Sequence, residues 1–481
     1  MSLAVNPEIF RQYDVRGLTE KDLTPAVTSA VAYAFGRKLA EAGRIRALVG
    51  RDNRLSSPAL RDAVVRGFAG AGLDVVDLGT VTTPMFYFAR VHLGIDGGAM
   101  ITGSHNPPEF NGLKLAFGPA TIYGDEIEDL RRRVEAVVAT GEWTRAAAQL
   151  AGQARGQAED GGGSRVHETD VFEAYLDMLA GKIQLGPRRL KAVVDCGNGT
   201  ASFYALPFLE RLGCEVVPLY CEPDGHFPNH HPDPVKRENL ADLIATVRAT
   251  GADLGVAYDG DADRIGVVDD AGQVIWGDRL MILYWREILA KRPGAEVIVE
   301  VKCSQALVDE VRRLGGRPLF YKTGHSLIKA KMREIGAPFT GEMSGHMFFA
   351  DEFYGFDDAF YATGRLLRIL TNTGRRLSEL LADVPEYFST AETRVPCADR
   401  FKFQVVEELT ARFKREFDVI DVDGARVQFP DGWGLVRASN TQPVIVARCE
   451  ATTPEGLERI TARLKKELLR FEEVGDFAWE K

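Results

Sequence analysis

The stretch Ile101-Thr-Gly-Ser-His-Asn-Pro-Pro-Glu-Phe-Asn-Gly-Leu-Lys114 sets one hydroxyl, Ser104, beside the imidazole of His105 and the amide of Asn106. Pro107 and Pro108 fix φ and remove two backbone donors, so the segment can continue neither a strand nor a helix. A loop this constrained holds a hydroxyl still, as a nucleophile or a phosphate carrier requires. A surface turn with a hydrogen-bonded serine can carry the same residues, so the chemistry must be argued from the rest of the chain. Asp259-Gly-Asp-Ala-Asp-Arg264 is the second signal. Asp259, Asp261 and Asp263 repel one another unless a cation sits among them, and hard oxygen ligands in this number suit Mg²⁺. An EF-hand is excluded because the twelfth position is Asp270 rather than Glu. Arg264 adds a planar donor fork for phosphate or carboxylate.

Four further groups follow. Glu342, Ser344 and His346 alternate in Gly341-Glu-Met-Ser-Gly-His346, so on extended backbone carboxylate, hydroxyl and imidazole share one face and can read sugar hydroxyls. Arg437, Ser439, Asn440 and Thr441 offer a guanidinium, polar side chains and consecutive N–H groups suited to a phosphate dianion. His325, in Thr323-Gly-His-Ser326, titrates near neutrality and suits acid–base work, although a lone histidine also caps helices. Near the N-terminus, Tyr13, Asp14 and Arg16 precede Gly17, where a solvated arginine or a structural ion pair is the commoner fate of such residues.

The elements that must position these groups follow from periodicity. Thr24-Pro25 opens a helix running to about Glu41. Apolar strands are expected at Ile45 to Gly50 and Leu73 to Leu78, with a helix from Ser57 to Gly70 between them. That alternation predicts parallel α/β architecture, in which ligands sit at the carboxyl ends of strands, where Ser104 would lie. A helix is predicted around Asp125 to Thr140, and the Gly-rich stretch 146–164 reads as a linker. Strands at Lys191 to Cys196, Cys214 to Leu219 and Gly255 to Tyr258 make a second unit. The strand Ala295 to Lys302, the strand Pro318 to Lys322 and a helix around Arg376 to Asp383 make a third. A helix from Pro454, capped by Thr453 and striped by Leu457, Ile460, Leu464 and Leu468, closes the fourth.

With 481 residues the chain exceeds one ordinary core, and three or four domains of roughly 100–200 residues are expected. Its composition, 45% hydrophobic and 27% charged, is that of a globular protein. A net charge of −10 argues against a broad nucleic-acid or anionic-membrane surface. Six scattered cysteines without a CxxC pair suit free thiols rather than a disulfide framework or zinc site. No basic-then-apolar leader pattern and no apolar run near ~18 residues occurs, so a cytoplasmic protein outside the membrane is expected.

Taken in series, the motifs resemble those of the α-D-phosphohexomutases over essentially the whole chain. Thr102-Gly-Ser-His-Asn-Pro107 is similar to that family's phosphoserine loop, and Asp259-Gly-Asp-Ala-Asp-Arg264 to its metal loop. Gly341-Glu-Met-Ser-Gly-His346 resembles its sugar-specificity loop, and Arg437-Ala-Ser-Asn-Thr441 its phosphate-binding loop. Met343 resembles the bacterial phosphomannomutase/phosphoglucomutase branch, whereas phosphoglucosamine mutases tend to have Gln there. The resemblance implies a four-domain, heart-shaped α/β architecture, with three related mixed α/β domains and a distinct C-terminal α+β domain. The corresponding boundaries are 1–150 for the phosphoserine-bearing domain, 165–273 for the metal-binding domain, 274–385 for the sugar-specificity domain and 386–481 for the phosphate-binding domain. The 146–164 stretch looks like an insertion.

It further implies reversible transfer of a phosphoryl group between hexose 1-phosphate and hexose 6-phosphate, of mannose, glucose or both. A phosphorylated Ser104 and a 1,6-bisphosphate intermediate would carry it, with Mg²⁺ on Asp259, Asp261, Asp263 and Ser104, and a trace of hexose 1,6-bisphosphate as activator. Arg16, Lys114 and Arg264 would stabilise charge near Ser104, His105 would position it, and Lys302 and His325 are the proton-transfer candidates. Tyr13, Glu342, Ser344, His346, Arg437, Ser439, Asn440 and Thr441 would bind the phosphohexose. A monomer or weak dimer is expected. A phosphoglucosamine mutase, a silent phosphosugar-binding protein and a hydrolase are the alternatives; Ser104, the three aspartates and His325 are all present, which argues against the silent one.

Overall fold

The computed structural model describes residues 3–145, 165–439 and 442–480, so the expected linker at 146–164 lies outside the described residues. The described chain packs as two compact units. One comprises residues up to Ile275 with Ser344–Met347 and Glu352–Ser378; the other comprises Trp276–Met343, Phe348–Asp351 and the residues from Glu379.

The first unit contains two mixed sheets. In the first sheet the strands Phe110–Phe117, Gly98–Ile101, Arg46–Arg51 and Asp74–Thr80 lie side by side in that order. Gly98–Ile101 runs parallel to Arg46–Arg51 and antiparallel to Phe110–Phe117. In the second sheet Ile265–Asp269, Leu254–Tyr258, Lys191–Asp195 and Glu215–Leu219 repeat that order and those directions. Numbered along the chain, both sheets read 4-3-1-2 with only the fourth strand reversed. In each, the connection from third to fourth strand therefore leaves the carboxyl end of a buried parallel strand, where α/β sheets bind ligands. Gly98–Ile101 and Leu254–Tyr258 are buried throughout, as continuous apolar runs in parallel pairs require.

The helices fall where capping residues put them. Pro25–Glu41 begins behind Thr24, whose hydroxyl accepts from the Val27 N–H, and Asp125–Thr140 stops at the left-handed Gly141. Ile127, Leu130, Val134 and Val137 of the latter are buried with the first sheet's core. The helix expected around Arg376–Asp383 is instead a single turn, Leu377–Leu380, and Val384, directly before Pro385, is biased away from helix.

In the second unit Glu296–Glu300 and Arg317–Tyr321 pair in parallel, followed in chain order by the short strand Phe339–Gly341. A separate antiparallel sheet of six strands, with Gly432–Ala438 and Val444–Ala451 at its centre, carries the helices Asp399–Phe413 and Pro454–Leu468. Its core includes Val405, Leu409, Val436, Ala447, Ile460 and Leu464. This is the α+β arrangement expected for the C-terminal part. No helix among the described residues is long and apolar enough to cross a membrane.

Candidate active site

Ser104 stands in the connection from Gly98–Ile101 to Phe110–Phe117, 2% exposed and at φ +48°. A left-handed non-glycine residue of this kind costs of order 1 kcal/mol or more and persists only where its surroundings over-determine it. They do so here. The buried Arg54 guanidinium donates to the carbonyls of Ser104 at 2.7 Å, Asn106 at 2.6 Å, Pro107 at 2.6 Å and Phe110 at 3.0 Å. Asp52 accepts from the Gly103 N–H at 3.1 Å, and Thr102 Oγ1 from the Ser104 N–H at 2.8 Å. The Ser104 hydroxyl donates to Asp259 Oδ2 at 2.9 Å and lies 3.1 Å from His105 Nδ1. Burial, followed by the charges of Arg264 and Arg16, pushes the His105 imidazole well below its ordinary pKa, so it stays neutral beside the hydroxyl.

The second sheet supplies Asp259, Asp261 and Asp263, all fully buried, from its own third-to-fourth connection. Ala262 at φ +59° turns the loop tightly enough for their oxygens to lie within 4.8 Å of one another. Asp259 Oδ1 accepts the N–H groups of Asp263 and Arg264, each at 3.1 Å. Burial, then the Asp263 and Asp261 charges, pushes Asp259 well up. Burial and Asp261 likewise raise Asp263 to about 6. Burial would raise Asp261 too, but the Lys114 ammonium and the Thr83 hydroxyl more than offset it and hold that carboxyl low.

Lys114, from the strand Phe110–Phe117, reaches Asp261 at 2.7 Å and Asp263 at 2.5 Å. Asp261 Oδ1 is buried with no hydrogen-bond partner among the described residues. An unsatisfied carboxylate oxygen at this depth carries a full desolvation penalty. With three converging carboxylates, the donor set fits a hard divalent cation. Arg264 donates through Nε to His346 Nε2 at 3.2 Å and lies 3.9 Å from Asp259. Arg16 holds Asp14 at 2.6 Å and the Asn106 amide oxygen at 3.1 Å, tying the N-terminal strand to the Ser104 loop. Tyr13, two residues before the strand Val15–Leu18, is half-buried.

His346 differs from expectation. Residues 342–345 do not extend but turn, with Gly345 at φ +93° where a Cβ would meet the Ile265 backbone. The alternation of Glu342, Ser344 and His346 therefore does not make one face. His346 bridges Arg264 in the ladder and sets Nε2 3.1 Å from Asp263. Asp263, His346 and Asp357 form a second buried group able to hold a metal.

In the other unit Glu300 and Asp423 organise the remaining candidates. Glu300, at the end of its strand, lies 3.1 Å from Lys302 Nζ. It also accepts from Thr323 Oγ1 at 2.8 Å and the Met343 N–H at 2.9 Å. Asp423 takes the Thr323 N–H at 3.0 Å and Arg437 Nε at 2.8 Å. Glu342 accepts the Gly324 N–H at 2.8 Å, so it touches the turn that carries the buried His325 into the helix His325–Ile335. Burial would strip Lys302 of its proton, but Glu300 and Glu392 reverse that and raise its pKa strongly. Arg437 is buried with Nη2 unpartnered among the described residues, and Ser439 Oγ accepts from the Gln442 N–H at 3.2 Å. Asn440 and Thr441 lie outside the described residues.

Asp52, Arg54, Thr83, Glu300 and Asp423 belong to no motif of the sequence. Only Arg51-Asp-Asn-Arg54, a polar cluster directly after a buried strand, carried a local signal.

Four family models match in series: phosphoglucomutase/phosphomannomutase α/β/α domain I over residues 7–157, domain II over 173–272, domain III over 276–388, and the C-terminal domain over 392–467. A protein of Pseudomonas putida called phosphomannomutase/phosphoglucomutase is 42% identical over 470 residues, covering 98% of this chain and 97% of the relative. A phosphoglucomutase of Neisseria gonorrhoeae is 43% identical over 96% of this chain and 97% of its own. Among solved structures, a phosphoglucomutase/phosphomannomutase family protein from Burkholderia thailandensis superposes with a TM-score of 0.86. It is 42% identical and covers 97% of this chain and 98% of that one.

Proposed function

The chain belongs to the phosphoglucomutase/phosphomannomutase family, and we propose that Ser104 is the residue on which this hexose phosphate mutase carries its phosphoryl group. The observation that carries the assignment is the contact of the Ser104 hydroxyl with Asp259 on a buried loop, beside the orphaned Asp261 oxygen. Relatives at this similarity are named for glucose and mannose phosphates, which disfavours the phosphoglucosamine, hydrolytic and silent alternatives.

Asp259, Asp261 and Asp263, with the Ser104 oxygen, would hold Mg²⁺, which when bound supplies positive charge to the transferring phosphoryl group. The chain's own groups do the rest. Phosphoryl transfer passes through a loose transition state whose main needs are alignment and charge stabilisation. Arg54 and Asp52 fix the loop that aligns Ser104. Lys114, Arg264 and Arg16 keep cationic charge against the acidic loop and the Ser104 loop. Neutral His105 positions the serine oxygen.

Glu342 and Ser344 would take the sugar's O3 and O4, which glucose and mannose share, so one site serves both. Tyr13 belongs to substrate binding on the same reading, whereas His346 acts by orienting Arg264 and Asp263. His325 is the proton carrier for the accepting hydroxyl, and Lys302 supplies charge. Arg437 with its open Nη2, Ser439, Asn440 and Thr441 would hold the non-reacting phosphate. A hexose 1,6-bisphosphate is the intermediate and, in trace, the activator.

The test is turnover of glucose 1-phosphate and mannose 1-phosphate with Mg²⁺ and a trace of glucose 1,6-bisphosphate. The 6-phosphates are expected from both sugars with wild type and from neither with Ser104→Ala. Undiminished turnover by the variant would remove Ser104 from the reaction.

A further inference from the structure

Two cysteines stand in contact behind the acidic loop. Cys196 directly follows the strand Lys191–Asp195, and Cys221 lies two residues past its parallel neighbour Glu215–Leu219. Their sulfurs are 3.3 Å apart. The backbone holds both ends in register: the Cys196 N–H donates to Leu219 O at 3.1 Å and the Asn198 N–H to Tyr220 O at 2.9 Å. Cys196 is fully buried, whereas Cys221 is the one cysteine among the described residues that is not buried.

We propose that Cys196 and Cys221 are a redox modification site that closes to a reversible intramolecular disulfide and thereby moves the acidic loop. A disulfide needs its sulfurs at ~2.05 Å, so each side must shift to close a gap of about 1.3 Å. The segment that shifts is the turn Gly197–Thr200, and it is fastened to the candidate active site. Its Thr200 N–H donates to the Gly260 carbonyl at 2.9 Å, between Asp259 and Asp261. It also holds Asn53, through Asn198 O at 2.8 Å and Thr200 Oγ1 at 3.2 Å, next to the Asp52 and Arg54 that clamp the Ser104 loop. Closing the sulfur pair pulls on both loops at once.

The chemistry balances with a small-molecule disulfide as oxidant. The Cys221 thiolate attacks one sulfur of the oxidant, forming a mixed disulfide and releasing one thiolate. The Cys196 sulfur, its proton passing to solvent, then attacks Cys221 Sγ and expels the second thiolate. Two thiols are oxidised and the small disulfide is reduced to two thiols. The contact with Cys196 favours the thiolate on Cys221, the sulfur with access to solvent, while burial pushes the Cys196 thiol well up. Attack therefore begins at Cys221 and is resolved by Cys196.

The experiment treats the full-length protein with oxidised glutathione, then maps its peptides under non-reducing conditions and assays turnover before and after dithiothreitol. The expected result is a cross-linked peptide joining Cys196 to Cys221, a fall in turnover of about fivefold or more, and recovery on reduction. Cys221→Ser is expected to turn over like wild type and to be indifferent to the oxidant. A glutathione adduct that stays on Cys221, or a linked peptide without change in turnover, would overturn the proposal, as would an equal loss of activity in Cys221→Ser. The peptide map of wild type reads the bond independently of the variant's folding and of mutase activity.

Discussion

Replacing Gly260 by alanine tests whether the register between the serine loop and the acidic loop sets the reaction rate. Gly260 sits between Asp259 and Asp261, and a Cβ built on it lies well inside 3.0 Å of the Ser104 carbonyl oxygen. That oxygen is backbone, pinned by Arg54 at 2.7 Å, so it cannot swing aside as a long side chain would. The loops must part by about 0.7 Å to restore an allowed contact, and misplacements near 1 Å cost of order 10²-fold in rate. The Ser104–Asp259 contact of 2.9 Å would open by a similar amount. The expected loss in kcat/KM is roughly 30-fold or more, about 2 kcal/mol of transition-state stabilisation. Overpacking should lower stability by about 1–3 kcal/mol, which a melting curve reports separately. The control is Gly181→Ala in the helix Phe172–Lys182, where a Cβ meets nothing within 4 Å. It should keep full activity and gain up to ~1 kcal/mol. A folded Gly260→Ala protein with wild-type kcat/KM would refute the reasoning, because the two loops could then separate without consequence.

Lys114→Met leaves Asp261 and Asp263 buried without their ammonium. Losing one partner of a buried ion pair costs about 3–5 kcal/mol, so a large fall in melting temperature is expected, together with loss of turnover. Mg²⁺ should raise the melting temperature of wild type and of Ser104→Ala relative to protein in EDTA, and Asp261→Asn should abolish that shift; an unchanged shift would take Asp261 out of the metal site. Acid stability should reflect Glu392. Burial alone would raise that carboxyl, but the Lys302 ammonium more than offsets it and holds it at about 2. Because the folded value is depressed, the contribution is present above the ordinary value of 4.5 and is lost as pH falls toward about 2. Glu392→Gln should accordingly narrow its stability deficit over that window, as measured by urea unfolding at stepped pH.

What the sequence made legible was local. The helices Pro25–Glu41 and Asp125–Thr140 stand where capping and periodicity put them, and Ser104, Asp259, Asp261 and Asp263 sit in loops directly after buried strands. Each is encoded in one short stretch of chain. Arg54 was not legible, because the carbonyls it holds lie 50 to 56 residues away. Thr83, which meets Asp261 across 178 residues, was hidden for the same reason. His346 misled because alternation implies a shared face only on extended backbone, and Gly345 turns the chain out of that form. A lone charged residue at a strand end has no periodicity to betray its partner.

Three other contacts between loops follow a rule that the repeated topology exposes. In the first sheet, Asp52, just past the first strand of the 4-3-1-2 set, accepts the N–H of Gly103 in the third-to-fourth connection. In the second, Thr200, in the turn after the first strand, donates to the Gly260 carbonyl of the equivalent connection. In the third set Glu300, the last residue of the strand Glu296–Glu300, accepts the Met343 N–H of the connection that follows Phe339–Gly341. Each time, chain at the carboxyl end of a parallel strand grips the neighbouring loop that carries candidate site residues. The first and third strands are adjacent and parallel in both sheets of the first unit, so their carboxyl ends emerge side by side and the grip needs only a short polar reach. The loop's composition can then differ, a serine in one, three aspartates in another and a glutamate in a third, while the scaffold that fixes its position stays the same. The same device thus holds candidate phosphoryl carrier, candidate metal site and candidate sugar contact, and the residues that make the device matter as much as those they hold.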